Sequence, residues 1–140
     1  MVYADFDFYQ NDYFGQTIQE SDFPRLALRA SAFLDYYTQG RAEAHADLPA
    51  LKMACCELAE QYAVIDAANA AATKAASETM EGGAEVQSES VGSWSKSYRS
   101  GGSTATEALT VAQNAKSALA DIARRHLAGT GLLYRGGCCR

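Results

Sequence analysis

One hundred and forty residues carrying a formal net charge of −5 suffice for one domain that buries roughly two-thirds of its unfolded surface. The acidic balance argues against a dedicated phosphate-gripping protein, and the lack of a bilayer-length apolar run or a charged-then-apolar leader predicts a soluble, cytosolic start. Hydrophobic residues reach 48%, but 27 are Ala while Leu, Ile, Val and Phe total 24, so neighbouring subunits are expected to complete part of the apolar surface.

Met1–Gln19 carries two periods at once. Val2, Ala4, Phe6 and Phe8 alternate like a strand, whereas Phe6, Tyr9 and Tyr13 step like a helix. Asp5 as a cap and Gly15 as a stop favour a short helix whose aromatics lie over the longer ones. Ser21–Arg41 is plainer. Phe23, Leu26, Ala27, Ala30, Phe33, Leu34 and Tyr37 mark one apolar face, with Ser21 as N-cap, Pro24 in the first turn and Gly40 as the left-handed stop. Phe33 is expected in the core. Arg25 and Arg29 fall off the stripe, toward solvent or a partner.

A second helix begins near Asp47 with Pro49 in its first turn. Leu48, Leu51, Cys55, Leu58, Tyr62, Ile65 and Asn69 follow the three-and-four spacing of a helix packed lengthwise on another. Beyond Asp66 the run AANAAATKAAS favours helix but buries little. Gly82-Gly83 and Gly101-Gly102 bracket a Ser-rich segment holding the only Trp, with Trp94, Lys96 and Tyr98 at alternate positions. The segment 82–102 is expected to project as an extended or hairpin-like loop turning near Gly92. A third long helix starts near Thr104 with Glu107 at the capping-box position and buries Ala108, Val111, Ala115, Leu119 and Ile122. It frays after Arg125, and Gly129 and Gly131 end it. The expected architecture is mainly α: about three long helices and a short N-terminal one in a single domain, 1–140. Residues 1–128 form the body and 129–140 a tail.

No catalytic constellation emerges. His45 and His126 lack the company a metal site needs, and the Ser cluster lacks a base or a nucleophile elbow. Glu57/Glu60 and Glu85/Glu89 are read as solvated carboxylates. The adjacent pairs Cys55-Cys56 and Cys138-Cys139 fit neither a disulfide framework nor zinc-finger spacing, so they read as buried or idle thiols. No enzyme, cofactor or metal is expected. Charge is uneven: five acids and no base precede Arg25, while four Arg and no acid follow Asp121. Such ends read either as two solvated ends or as complementary surfaces for different partners or adjacent copies.

Three stretches resemble one family. The run Asp22–Ser31 (DFPRLALRAS) with its lead-in Phe8-Tyr9, Tyr13, Gly15 and Ile18, the central SESVGSWSKSY, and the closing GLLYRG look like the head–tail connector (adaptor) proteins of long-tailed phages. The second long helix matches only in type, and the final GCCR matches no motif of that family. The resemblance implies a structural subunit, a ring on the portal protein with the portal's twelvefold order. Such a ring extends the DNA channel, passes packaged DNA without specific binding, and supports the head-completion (stopper) protein and the tail. It implies residence in the virion at the head–tail junction, host cytoplasm during assembly, and no membrane. Val91, Gly92, Trp94 and Tyr98 are the expected subunit or ring contacts. Arg124, Arg125, Tyr134 and Arg135 are the expected portal-docking group. The alternative is a small helical DNA-binding or regulatory protein, with Arg124, Arg125, Arg135 and Arg140 on phosphates.

Overall fold

A computed structural model describes the backbone of residues 1–86, 94–134 and 136, and their side chains except at 78–86, 94–106, 108, 109 and 112. The fold is mainly helical, and no strand occurs among the described residues. The helices are α1 (Phe6–Asn11), α2 (Phe23–Thr38), α3 (Pro49–Val86) and α4 (Trp94–Leu127), with a 3-10 turn at Glu43–His45.

Local chemistry sets most of the ends. Asp5 caps α1 by accepting from the Phe8 amide at 2.9 Å. The N-cap of α2 is Asp22, not Ser21, and it makes no side-chain capping bond; Pro24 lies in the first turn as expected. The left-handed turn after α2 takes two residues, Gln39 (φ 57°) and Gly40 (φ 79°). Gly40 N–H closes it by donating to Asp35 C=O at 2.8 Å.

The largest departure is the expected loop. Residues 82–86 finish α3 and 94–102 begin α4, so both helices run through their glycine pairs. Each glycine costs a helix about 1 kcal/mol relative to Ala, and with no proline present nothing stops the hydrogen-bond ladder there. Helix α4 thus starts ten residues earlier than its capping-box pattern suggests and ends at Leu127. Residues 87–93, including Val91 and Gly92, lie outside the described residues.

The chain divides into two compact units, Met1–Ala63 with Ser117–Arg140, and Val64–Lys116. In the first, the Pro49–Ala63 part of α3 is the central element. Leu51, Ala54, Cys55, Cys56, Leu58 and Ala59 on it are all fully buried, a band wider than a single heptad seam. Side-chain bonds show why: this segment meets α1 through Glu60, α2 through Cys55 and α4 through Glu57.

The buried face of α2 is Phe23, Leu26, Ala27, Ala30, Ser31, Leu34 and Thr38. Phe33 is only half-buried, stacked on Tyr37 with ring centroids 5.6 Å apart, which corrects its expected place in the core. Small polar residues take the face instead because their hydroxyls are satisfied locally. Ser31 Oγ donates to Ala27 C=O at 2.7 Å, and Thr38 Oγ1 to Leu34 C=O at 2.8 Å.

In the second unit, Ile65 and Ala115 are the buried residues among the described side chains. Asn69 is exposed and Val111 is half exposed, so these two positions of the expected stripes are not part of the buried face; the Ala108 side chain lies outside the described ones.

Candidate functional site

Three arrangements in the first unit have the makings of function, and the first of them is a lock. Tyr9 is fully buried, donates its hydroxyl to Glu60 Oε1 at 2.8 Å and accepts from the amides of Thr17 and Ile18 at 3.1 and 3.2 Å. Tyr13 donates to the other oxygen of Glu60 at 3.1 Å. Burial first, and the Glu60 carboxylate second, push both phenols up from their ordinary range, so each stays a neutral donor. Tyr3 is held in the same way, its hydroxyl donating to Asp35 and its amide to Ser31 Oγ. Gly15 belongs to this lock as well as to the end of α1: its N–H donates to the Tyr9 carbonyl at 2.8 Å, and a Cβ there would run into the Tyr9 ring. The arrangement fixes the N-terminal segment over α2 and α3.

The second arrangement gathers Tyr and Arg around the C-terminal end of α2. Arg124 Nε donates to Tyr37 Oη at 3.0 Å, and its guanidinium also meets Asp121 at 3.3 Å. Arg125 pairs with Glu57 at 3.2 Å, and His126 Nε2 lies 2.5 Å from the other Glu57 oxygen. Arg41 reaches the Tyr134 carbonyl, which brings the tail to the same end, while Leu132 is buried beneath it. Two of the four expected docking residues, Arg124 and Tyr134, therefore come to that end with large exposed surfaces, Tyr134 being 63% exposed, while Arg125 turns to Glu57 on α3. Arg135 lies outside the described residues.

The third is an open cleft of about 590 Å³ between the N-terminal segment and the first turns of α2 and α3. Its apolar wall includes Phe6, Phe8 and Phe23, and its rim carries Asp5, Asp7 and Asp12. Lys52 lines it too, with Nζ 5.6 Å from the centre of the Phe8 ring.

Trp94 and Tyr98 begin α4 as helical positions four apart, not as alternate residues of an extended segment; their side chains lie outside the described ones. Glu57 and Glu60 correct the reading of solvated carboxylates, since both are tied to other helices. Each directly neighbours a residue that folding buries, Cys56 or Ala59, but neither of these lies on the Leu51–Cys55–Leu58 seam, so nothing in the sequence marked the two carboxylates. Arg29 likewise stacks over Tyr62, 4.4 Å from the ring centre.

Cys55 and Cys56 are free and fully buried, and burial pushes both thiols up, away from the reactive thiolate. Cys138 and Cys139 lie outside the described residues. Among the described residues no group of three or more His, Cys, Asp or Glu is placed to hold a metal ion, and no helix is long and apolar enough to cross a membrane. The chain matches no family model, no curated protein and no solved structure.

Proposed function

We propose that this chain is a structural head–tail connector subunit, forming a ring on a phage portal, extending the DNA channel and carrying the head-completion protein and tail. The observation that carries the reading is the Tyr and Arg group at the end of α2, where exposed Arg124 and Tyr134 come beside half-buried Tyr37. Tyr and Arg anchor protein interfaces because they present large contact areas that lose little freedom on binding. Here the Arg124–Tyr37 bond orients two of the side chains, and the Arg41 bond to the Tyr134 carbonyl holds the tail backbone beside them. The three stretches that resemble connector proteins add support, and one of them, GLLYRG, includes Tyr134 and Arg135.

The role is docking, with no chemical step. The Arg side chains are spoken for by Glu57, Asp121 and Tyr37, which favours a shaped protein contact over loose phosphate binding. The test is co-migration with a purified portal in size-exclusion chromatography, followed by imaging of the complex. The expected result is a twelvefold ring on the portal, weakened when residues 131–140 are removed and with helix content nearly intact. No portal binding, together with DNA binding that falls steeply with salt, would replace this reading with the DNA-binding one.

A further inference from the structure

Phe14 sits where its own chain gains least from it. The ring is 76% exposed, and the backbone takes φ 59°, the left-handed conformation that a bulky L residue rarely adopts. Both neighbours are held fast. Tyr13 is bonded to Glu60, and Gly15 N–H donates to the Tyr9 carbonyl while its missing Cβ makes room for the Tyr9 ring. The rigid tyrosine lock thus presents a strained, unburied aromatic ring.

Helix α2 carries a second exposed surface, on the side away from the core. Arg25, Leu28, Arg29, Ala32 and Tyr36 fall within roughly 100° of its circumference, opposite buried Ala27 and Leu34. Arg25 and Ala32 are exposed, Leu28 is 55% and Tyr36 81% exposed, and half-buried Arg29 lies over the Tyr62 ring. The row is roughly 17 Å long, basic in its first half and apolar along its length.

We propose that these two surfaces meet between copies: Phe14 of one copy seats against Leu28, Ala32 and Tyr36 on α2 of the next. This rests on the connector reading and names the copy-to-copy contact of its ring. Charge complements the apolar fit. Asp12 and Glu20 are exposed on either side of Phe14 in a stretch with no Lys or Arg before Arg25, whereas the α2 row holds two Arg and no acid. Within one chain the surfaces do not cover each other, since Phe14, Leu28 and Tyr36 all stay exposed. A ring held in strained backbone and left in water is repaid by a surface that takes it up, and a second copy supplies one. The contact joins different surfaces of the two copies, so it repeats from one to the next around a closed ring.

The experiment is analytical ultracentrifugation of the full chain at low salt, with reductant present, alongside two variants. The full chain should associate as its concentration rises. Phe14→Asn and Leu28→Asp should each weaken association roughly 10- to 100-fold, the loss that follows removal of an interface anchor. Phe14→Asn should melt no lower than the parent chain, because Asn accepts the left-handed backbone more readily than Phe. Mixing the variants should give pairs that grow no further: the Phe14→Asn chain keeps its α2 row and the Leu28→Asp chain keeps its Phe14. A full chain that stays monomeric, association untouched by either substitution, or a mixture that forms no pairs would overturn the proposal. A Phe14→Asn chain that melts well below the parent would assign Phe14 to the fold and overturn it too. Portal binding is scored separately on the full chain. Its absence, with association and variants behaving as expected, would reject the connector reading and leave this contact standing; portal binding without association would do the reverse.

Discussion

The two compact units are built from parts of the same two long helices, yet they are held by different means. In the Met1–Ala63 and Ser117–Arg140 unit, Pro49–Ala63 of α3 buries six consecutive-turn positions and is bonded to α1, α2 and α4. In the Val64–Lys116 unit, the described side chains bury Ile65 and Ala115, and the hydroxyls of Thr73 and Ser77 turn back on their own helix at 2.9 and 2.8 Å. The first unit rests on tertiary packing and satisfied buried polar groups. The described part of the second draws more on alanine's intrinsic preference for helix, a term of tenths of a kcal/mol per residue. A helix can therefore be continuous in geometry and discontinuous in what stabilises it.

Alkali should expose this contrast most strongly, because three hydroxyls act together. In an unfolded chain tyrosine ionises near pH 10. In the fold, burial keeps Tyr3, Tyr9 and Tyr13 neutral to higher pH, so the unfolded state releases protons first. Their contribution is complete below about pH 10 and declines as pH rises toward the folded values. Unfolding of the tyrosine-locked unit, followed by tyrosinate absorbance and near-ultraviolet circular dichroism, should begin above about pH 10. A fold indifferent to alkali would show that the lock contributes little.

Tyr9→Ala should cost about 3–5 kcal/mol, since it removes a fully buried ring and strands Glu60 and two amides. Denaturant melts read this directly. Phe33→Ala, at a half-buried ring, should cost less, and the opposite order would mean that the core has been located on the wrong face of α2. Gly15→Ala should cost about 1–3 kcal/mol through overpacking against the Tyr9 ring, and Tyr9→Leu in the same chain should recover part of that loss. The smallest effect belongs to the other unit. Ala71→Gly, at an exposed position of α3, should cost about 1 kcal/mol locally. Hydrogen exchange should show faster opening around residue 71 with little change in the amides of Leu51–Ala59. Equal acceleration at both places would make the two units one cooperative block.

Much of the helical plan was legible in residues alone. Asp5 before an aromatic helical step, Pro24 and Pro49 in first turns, and the Leu51–Cys55–Leu58 seam located three of the four helices, because capping and periodicity are properties of a few neighbouring residues. The long-range partners were not legible. Glu57 and Glu60 look like any surface carboxylates until α4 brings Arg125 and His126, and α1 brings Tyr9 and Tyr13. Gly15 reads only as a stop, and the fold adds a second reason for it, since the Tyr9 ring occupies the space its Cβ would need.

By itself, then, the sequence determined the helical class, most of the helix starts and the opposition of an acidic beginning to a basic end. Tertiary structure decided which face of α2 is buried, since Ser31 and Thr38 qualify only once their hydroxyls are bonded to the preceding turn. It also decided that the Tyr and Arg residues of α2, α4 and the tail share one end of the first unit. The physical reason is separation along the chain. Caps and stripes act over three or four residues, whereas the Arg124–Tyr37 and Arg41–Tyr134 contacts join residues 87 and 93 positions apart, and only folding brings them within hydrogen-bond reach.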